Sequence, residues 1–507
     1  MSTLGKILIL VFAFGILSCQ KNTETDPMNI IFFFTDDQAY DTQKDYGNPD
    51  AKTPHIDQLA EQGVVFLRHY NTTAICMASR ANVMTGLYEY KTGCNFDHGH
   101  LATELWSTSY PVLLRQSGYR VGFAGKFGFS VSDSTDAWGK EGDVAQHDFD
   151  FWAGGPGQTS YVTAKNESLK AYADKYPHST RAYGAASIDF IRESVKKDKP
   201  FCMSVFFKAP HRPVEPDPMF DDVYKETVFH KLPNYGREAG KHLAPHSRMG
   251  RQYPRFEGWG YDKEDTYQEA LRKYNQQIYG VDYAIGMVME ELKKLKIDKN
   301  TVVIFSSDNG FFNGSHGLGS KVLPYEEGAR VPLIIVDPRV RTGKKIVKTS
   351  SLTGNVDLAA TILDLADIDI PSFYDGTSLL PILKDTKLQV RKTLTIIQVW
   401  GTEATHCLTV MDDRYKYIYW FYEDGERNLF PTEELFDLHK DPYEMKNVVD
   451  HPEYQSQLVK MREIYDRQLE HWKDEGVKYN GYEEYGILFD RNIPFDVKQE
   501  VSGNMSD

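Results

Sequence analysis

The chain has 507 residues, 41% of them hydrophobic and 13% aromatic, which excludes a disordered chain and makes two packed domains the default at this length. Its formal charge of −14 excludes a scaffold for nucleic acid or another polyanion, since such binding needs many Lys and Arg contacts to phosphates. An anionic ligand would have to be met by positive charge gathered locally.

The first 19 residues stand outside the fold. Lys6 precedes an apolar run from Ile7 to Leu17, shorter than the roughly 20 residues that span a bilayer, so the segment reads as a signal peptide. Leu17-Ser18-Cys19 resembles the lipobox of bacterial lipoproteins. That resemblance implies acylation of Cys19, export to the periplasm, outer membrane or cell surface, and membrane attachment through the lipid alone. Plain secretion with cleavage nearby is the alternative; residues 20–27 would then be a tether. Beyond Cys76, discussed below, Cys94, Cys202 and Cys407 remain, an odd number that argues against a disulfide scaffold, with Cys202 in an apolar run expected in the core.

Asn29 to Thr35 is a continuous apolar run, as expected of a strand buried on both faces of a parallel sheet. It delivers Asp36 and Asp37 to the strand's carboxyl end, where open α/β sheets bind ligands. Adjacent carboxylates there repel unless a cation holds them; an Asp-Asp turn capping a helix is the alternative. Thr53-Pro54 opens a helix expected to end near Gly63.

Cys76-Met77-Ala78-Ser79-Arg80 follows. Ser79 to Thr85 is expected to be a short helix closed by Gly86, placing Cys76 at an N-terminal mouth that favours anions, with Arg80 adding a fixed cation. A buried cysteine beside a structural arginine is the bland reading of such a short pattern. The pentapeptide resembles the signature of the type I sulfatases, within the alkaline phosphatase superfamily, and the likeness runs in order from about Asn29 to Leu383 and more weakly to Asn447. It implies that Cys76 is converted by a formylglycine-generating enzyme to formylglycine (3-oxoalanine), whose hydrate is the nucleophile.

Gly93 to His100 is a polar loop holding His98 and His100. Tyr119 to Ala124 reads as a strand delivering Lys126. In the family this segment commonly runs Gly-Lys-aromatic-His, which implies a sulfate contact for Lys126; the histidine position is Gly128 here, and His98 or His100 is the expected substitute. Residues 131–185 read as irregular excursions over the pocket. A helix from about Thr180 to Lys196 leads to the strand Phe201 to Phe207 and to Lys208-Ala209-Pro210-His211, which resembles the family segment supplying a sulfate-contacting histidine, so His211 is the expected acid for the leaving oxygen.

Gly236 to Asp265 gathers Arg237, Arg248, Arg251 and Arg255 with Tyr253, Phe256 and Trp259. It is either a solvated loop or a substrate-binding insertion with aromatic faces for a sugar and cations for acid groups; Arg237, Arg248, Arg251 and Trp259 are the candidate contacts, with His98 and His100. A helix from Glu264 to Leu295 precedes the buried strand Thr301 to Ser307, which delivers Asp308 and Asn309. With Asp36 and Asp37 they make an all-oxygen set suited to one Ca²⁺, with Mg²⁺ and Mn²⁺ as alternatives and zinc a poor fit. The resemblance adds an oxygen from modified Cys76 to that ligand set, and makes Lys321 a second sulfate-binding lysine.

The fold class expected is α/β: a large, mostly parallel sheet flanked by helices at 28–386, then a smaller α+β part with an antiparallel sheet at 387–507. The function expected is removal of O-sulfate from sulfated glycans such as mucin or glycosaminoglycan saccharides. A phosphoester or phosphonate hydrolase of the same superfamily and a non-catalytic glycan-binding lipoprotein are the competing readings.

Overall fold

The computed structural model describes residues 27–133, 144–340 and 346–505. The expected signal peptide, Cys19 and nearly all of the tether lie outside them. Among the described residues no helix is long and apolar enough to cross a membrane.

Eight strands form one sheet in the spatial order Phe151–Gly155, Arg120–Lys126, Phe201–Phe206, Asn29–Thr35, Thr301–Ser307, Leu333–Val336, Val64–Phe66, Val347–Thr349. All pairs are parallel except those of Leu333–Val336, which runs against both neighbours. The central strand explains the pattern. Ile30, Phe32 and Phe34 pack on one face with Met77, Met84, Leu114 and Ile362. Ile31 and Phe33 pack on the other with Ile56, Leu59, Tyr183 and Val281. A period of two with helices on both faces leaves no polar side to the strand, hence its uninterrupted apolar sequence.

Register aligns the strand ends. Phe34 pairs with Phe206 and Thr35 with Ser307, so the residues that follow, Asp36 and Asp308, emerge together.

The C-terminal part is a four-stranded antiparallel sheet, Leu394–Gln398, Cys407–Met411, Tyr415–Trp420 and Thr432–Asp437, paired in sequence order. One face carries the helix Gln455–Glu475 through Met461, Tyr465 and Trp472. The other packs Trp420 and Phe436 against Phe312, Leu323 and Tyr325 of the large part. The tail beyond Gly476 wraps back, burying Tyr482, Tyr485 and Phe489 in the first of these clusters. The strand Phe151–Gly155, expected to be irregular, adds to the sheet edge beside Arg120–Lys126; its glycines and half-buried rings hide the alternation that marks a strand. Cys76, Cys94, Cys202 and Cys407 are all buried free thiols.

Candidate active site

Cys76 is the first residue of the helix Cys76–Thr85, and Gly86 closes that helix in the left-handed conformation at φ +70°. The helix start is pinned from below. Ser79 Oγ donates to the Asp308 carbonyl at 2.7 Å, and Asn355 Nδ2 donates to Ser79 Oγ at 3.0 Å. The thiol faces a cavity of about 650 Å³.

Beneath the thiol lies a buried charge cluster built from strand ends. Arg80 is fully buried: its Nε donates to Asp308 Oδ2 at 2.7 Å, its Nη1 to the Lys126 carbonyl at 2.5 Å, and its guanidinium lies over Phe34 and Phe206. Lys126 Nζ donates to Asp36 Oδ2 at 2.5 Å, and Lys321 Nζ to Asp37 Oδ1. Asp37, at φ +69°, donates its backbone N–H to Asp308 Oδ1 at 3.1 Å. His211 Nε2 stands 3.7 Å from Asp37 Oδ2. The residues at or just after strand ends, Asp36, Asp37, Asp308, Asn309, Lys126 and His211, the loop residue Lys321 and the helix residues Cys76 and Arg80 are thus brought together.

The electrostatics follow from burial and from who faces whom. Burial works against the Asp36 charge, but Lys126, His211, Arg80 and Lys321 outweigh it and hold its carboxyl well below the usual range. Asp37 is raised to about 7 by burial and by Asp36 and Asp308, against the pull of Lys321. Burial and Asp36 raise Asp308 as well. Lys321 is opposed by burial, yet Asp37, Cys76 and Asp36 hold its ammonium well above the ordinary lysine range. His211 is pushed down to about 3 by burial, with Lys321 and Lys126 adding to that push and Asp36 opposing it.

The residues fit a divalent cation. Asp36 Oδ1 and Asn309 Oδ1 are buried oxygens with no hydrogen-bond partner, and Asp36, Asp37 and His211 offer ligand atoms within 4.8 Å of one another. Buried oxygens of this kind need a partner, and an oxygen-rich set suits a hard ion.

Four expected substrate contacts are not on the cavity wall, and each has a structural occupation. His98 has Nδ1 2.8 Å from the Asn480 carbonyl and Nε2 2.9 Å from the Val399 carbonyl, and it packs on Tyr482 and Tyr485. His100 pairs with Ser130 Oγ. Arg237 is tied to Glu257 and to the Tyr253 and Gly317 carbonyls. Arg248 is tied to the Gly240 and Lys241 carbonyls. Neither histidine can stand in for the side chain missing at Gly128. That glycine has φ +90°, and a Cβ there would lie 2.5 Å from Arg80 Cδ.

Arg251 and Trp259 do line the cavity, as does Arg255 of the same basic loop, and Gln158, Arg212, Phe311 and Trp400 join them without having been singled out. Gln158 Nε2 lies 3.9 Å from Cys76 Sγ. Its only signal was the Gly-Gly-Pro-Gly turn before it; that of Arg212 was its place next to His211. Trp400 had none, because it comes from the small sheet. A second cavity of about 620 Å³, lined by Tyr88, Lys91 and Asp375 among others, contains none of the clustered residues.

A family model described as Sulfatase matches residues 28–368, and one described as N-sulphoglucosamine sulphohydrolase, C-terminal, matches residues 314–471. The chain is 27% identical over 538 residues to an N-acetylglucosamine-6-O-sulfatase of Bacteroides thetaiotaomicron, covering 92% of this chain and 91% of the relative. It is 27% identical over 479 residues to an arylsulfatase of Clostridium perfringens, covering 87% and 94%. A solved structure of a protein in complex with its substrate D-glucosamine-2-N,6-O-disulfate superposes with a TM-score of 0.72 at 25% identity, over 90% of this chain and 99% of that one. A phosphonate monoester hydrolase of Agrobacterium radiobacter superposes with a TM-score of 0.70 at 18% identity, over 89% and 96%, a likeness of fold.

Proposed function

The chain belongs to the sulfatase family, and from that premise we propose that it hydrolyses O-sulfate esters of glycans, with Cys76, matured to formylglycine by a generating enzyme, as its nucleophile. One observation carries this reading: Cys76 opens onto a cavity directly above buried Arg80, Lys126 and Lys321 and the oxygen set of Asp36, Asp37, Asp308 and Asn309.

A sulfate ester resists attack because its oxygens are negative, so a catalyst must neutralise them, supply a nucleophile and protonate the departing oxygen. Asp36, Asp37, Asp308 and Asn309 would hold one Ca²⁺, which supplies positive charge to the sulfate oxygens and to the nucleophile. The hydrated aldehyde at residue 76 supplies one hydroxyl to attack sulfur and a second to expel the sulfate afterwards. The chain's own side chains do the rest. Three carboxylates are matched by Arg80, Lys126 and Lys321, so a divalent ion leaves the site net positive and selective for an anion. Lys126 and Lys321 bind the sulfate oxygens. Arg80 holds the helix start and Asp308 in register.

Proton delivery to the departing sugar oxygen falls to His211 with Lys321. Asp37, Cys76 and Asp36 keep the proton on Lys321, and His211 stands beside Asp37 at the cavity wall. Gln158 is the polar side chain found at the thiol. Export as a lipoprotein anchored through Cys19 belongs to the same proposal and rests on the N-terminal sequence.

The test is release of sulfate from a panel of sulfated mono- and oligosaccharides, with and without chelator, by protein co-expressed with a formylglycine-generating enzyme. Mass spectrometry of the Cys76 peptide establishes maturation. Chelator-sensitive sulfate release is the expected result; no sulfate release by the matured protein, with phosphate released from the matching phosphate monoesters or diesters, overturns it.

A further inference from the structure

The mouth of the catalytic cavity carries more positive charge than one sulfate needs. Arg212, Arg251 and Arg255 line it together. Among the described residues none of the three is in an ion pair with a carboxylate, unlike Arg237 of the loop that holds Arg251 and Arg255, which is paired with Glu257. Each is seated on an aromatic ring instead: Arg212 and Arg255 lie 4.4 and 4.5 Å from the centre of Trp259, and Arg251 lies 4.1 Å from that of Trp400. Stacking of this kind fixes the planar fork while leaving its N–H donors free to point at a ligand. The remaining partners are neutral. Arg255 Nη1 donates to Ser320 Oγ at 2.9 Å, next to Lys321, and the Arg212 guanidinium is close enough to the Tyr261 hydroxyl to lower its pKa against burial.

The three cations also sense one another. Burial lowers the Arg255 pKa, Arg251 and Arg212 lower it further, and Asp37 opposes them. Like charges held together at a cavity mouth are destabilising until an anion enters between them. Asp97, the exposed carboxylate on this wall, accepts the Gly401 N–H at 2.7 Å.

We propose that Arg212, Arg251 and Arg255 form a second anion subsite, which takes a carboxylate or a further sulfate on the same saccharide that carries the scissile sulfate. The preferred substrates are therefore doubly charged, and a singly sulfated neutral sugar fills only the inner half of the cavity. This rests on the sulfatase reading, because the inner anion it assumes is the ester at Cys76.

The experiment is ligand binding by calorimetry to the Cys76→Ser protein, which holds ligands without turning them over, using two matched pairs. One pair is a hexosamine 6-O-sulfate with an N-acetyl or an N-sulfo group; the other is a monosulfated uronate-containing disaccharide as free acid or methyl ester. In at least one pair the doubly charged member binds about tenfold or more tightly, and the pair that does so identifies sulfate or carboxylate as the second anion. In the Arg251→Met/Arg255→Met protein that advantage falls to about twofold or less. Equal affinities within both pairs, or no binding by either doubly charged ligand, overturn the subsite. The comparison between ligands needs no variant beyond Cys76→Ser, so misfolding of the arginine variants does not decide it. Failure of the sulfatase reading shows separately, as absence of sulfate release by matured wild-type protein.

Discussion

Two buried charge clusters lie on either side of the segment from Asp308 to Arg330, and they use the same chemistry to opposite ends. At the sheet's carboxyl end Asp36, Asp37 and Asp308 face Arg80, Lys126 and Lys321, and the cluster opens onto the cavity. At the seam with the small sheet Lys416 Nζ is 2.8 Å from both Glu326 Oε1 and Glu444 Oε1. There Glu434 takes bonds from Tyr325, Trp420 and the Ala244 N–H. This second cluster is sealed by Tyr325, Trp420 and Phe436. Buried charge of either kind is costly unless paired. What separates a site from a joint here is access: the first cluster leaves room for a ligand, while the second holds two parts of the molecule in one orientation.

Changes in the two clusters should therefore separate activity from stability. Cys76→Ala is expected to lower sulfate release by at least about a thousandfold, with the thermal midpoint unchanged. Asp308→Asn removes one oxygen charge and the partner of Arg80, and should cost about a hundredfold to a thousandfold in kcat/KM, with less metal retained after dialysis. At the seam, Lys416→Met strands Glu326 and Glu444 and should cost about 3–5 kcal/mol in denaturant unfolding, while kcat per folded molecule stays the same. Loss of kcat ahead of stability would break the contrast.

The seam also has a pH signature. Burial raises Glu327 to about 8 from 4.5, with Glu444 adding to the shift. A raised carboxyl is neutral in the fold while the unfolded chain ionises, so the stability it contributes is full below 4.5 and is lost as pH rises to about 8. Glu327→Gln should flatten that decline, by up to about 1.4 kcal/mol per pH unit, and still accept the Asn234 Nδ2 bond of 2.6 Å. Thermal midpoints from pH 5 to 8 measure it; parallel curves for the two proteins would refute it.

Gly128→His, the residue the family resemblance would restore, should lower activity instead of raising it and cost about 1–3 kcal/mol, from its positive φ and the contact with Arg80. A gain in kcat would show that Arg80 can yield. The smallest effect is expected from His98→Gln. Its ring is held by main-chain carbonyls, so kcat should change by less than about twofold, with about 1 kcal/mol of stability lost.

How much of this was legible divides by the kind of element. The strands Asn29–Thr35 and Thr301–Ser307 and the helix Glu264–Leu295 stand where their periodicity puts them, because a buried strand or a long amphipathic helix writes its environment into every residue. The carboxylates at the ends of those strands were visible for the same reason, since two charges after an apolar run need a partner. The lysines and His211 were visible through a resemblance that names short segments. The outer wall was legible only in part, through Arg251 and Trp259. Arg251 and Arg248 are alike in sequence, three residues apart in one basic loop, yet one enters the cavity over Trp400 and the other is spent on its own loop's carbonyls.

From the sequence alone came the α/β class and the cluster at the carboxyl ends of the parallel strands, because short-range pattern and strand direction determine them, while Cys76 as the proposed nucleophile came from the family resemblance. Only the tertiary structure decided which histidines are structural, why residue 128 carries no side chain, and which arginines meet at the cavity mouth. Those outcomes depend on contacts between segments far apart in the chain, Gly128 with Arg80, His98 with Asn480 and Arg251 with Trp400, and no local pattern encodes where a loop from the small sheet comes to rest.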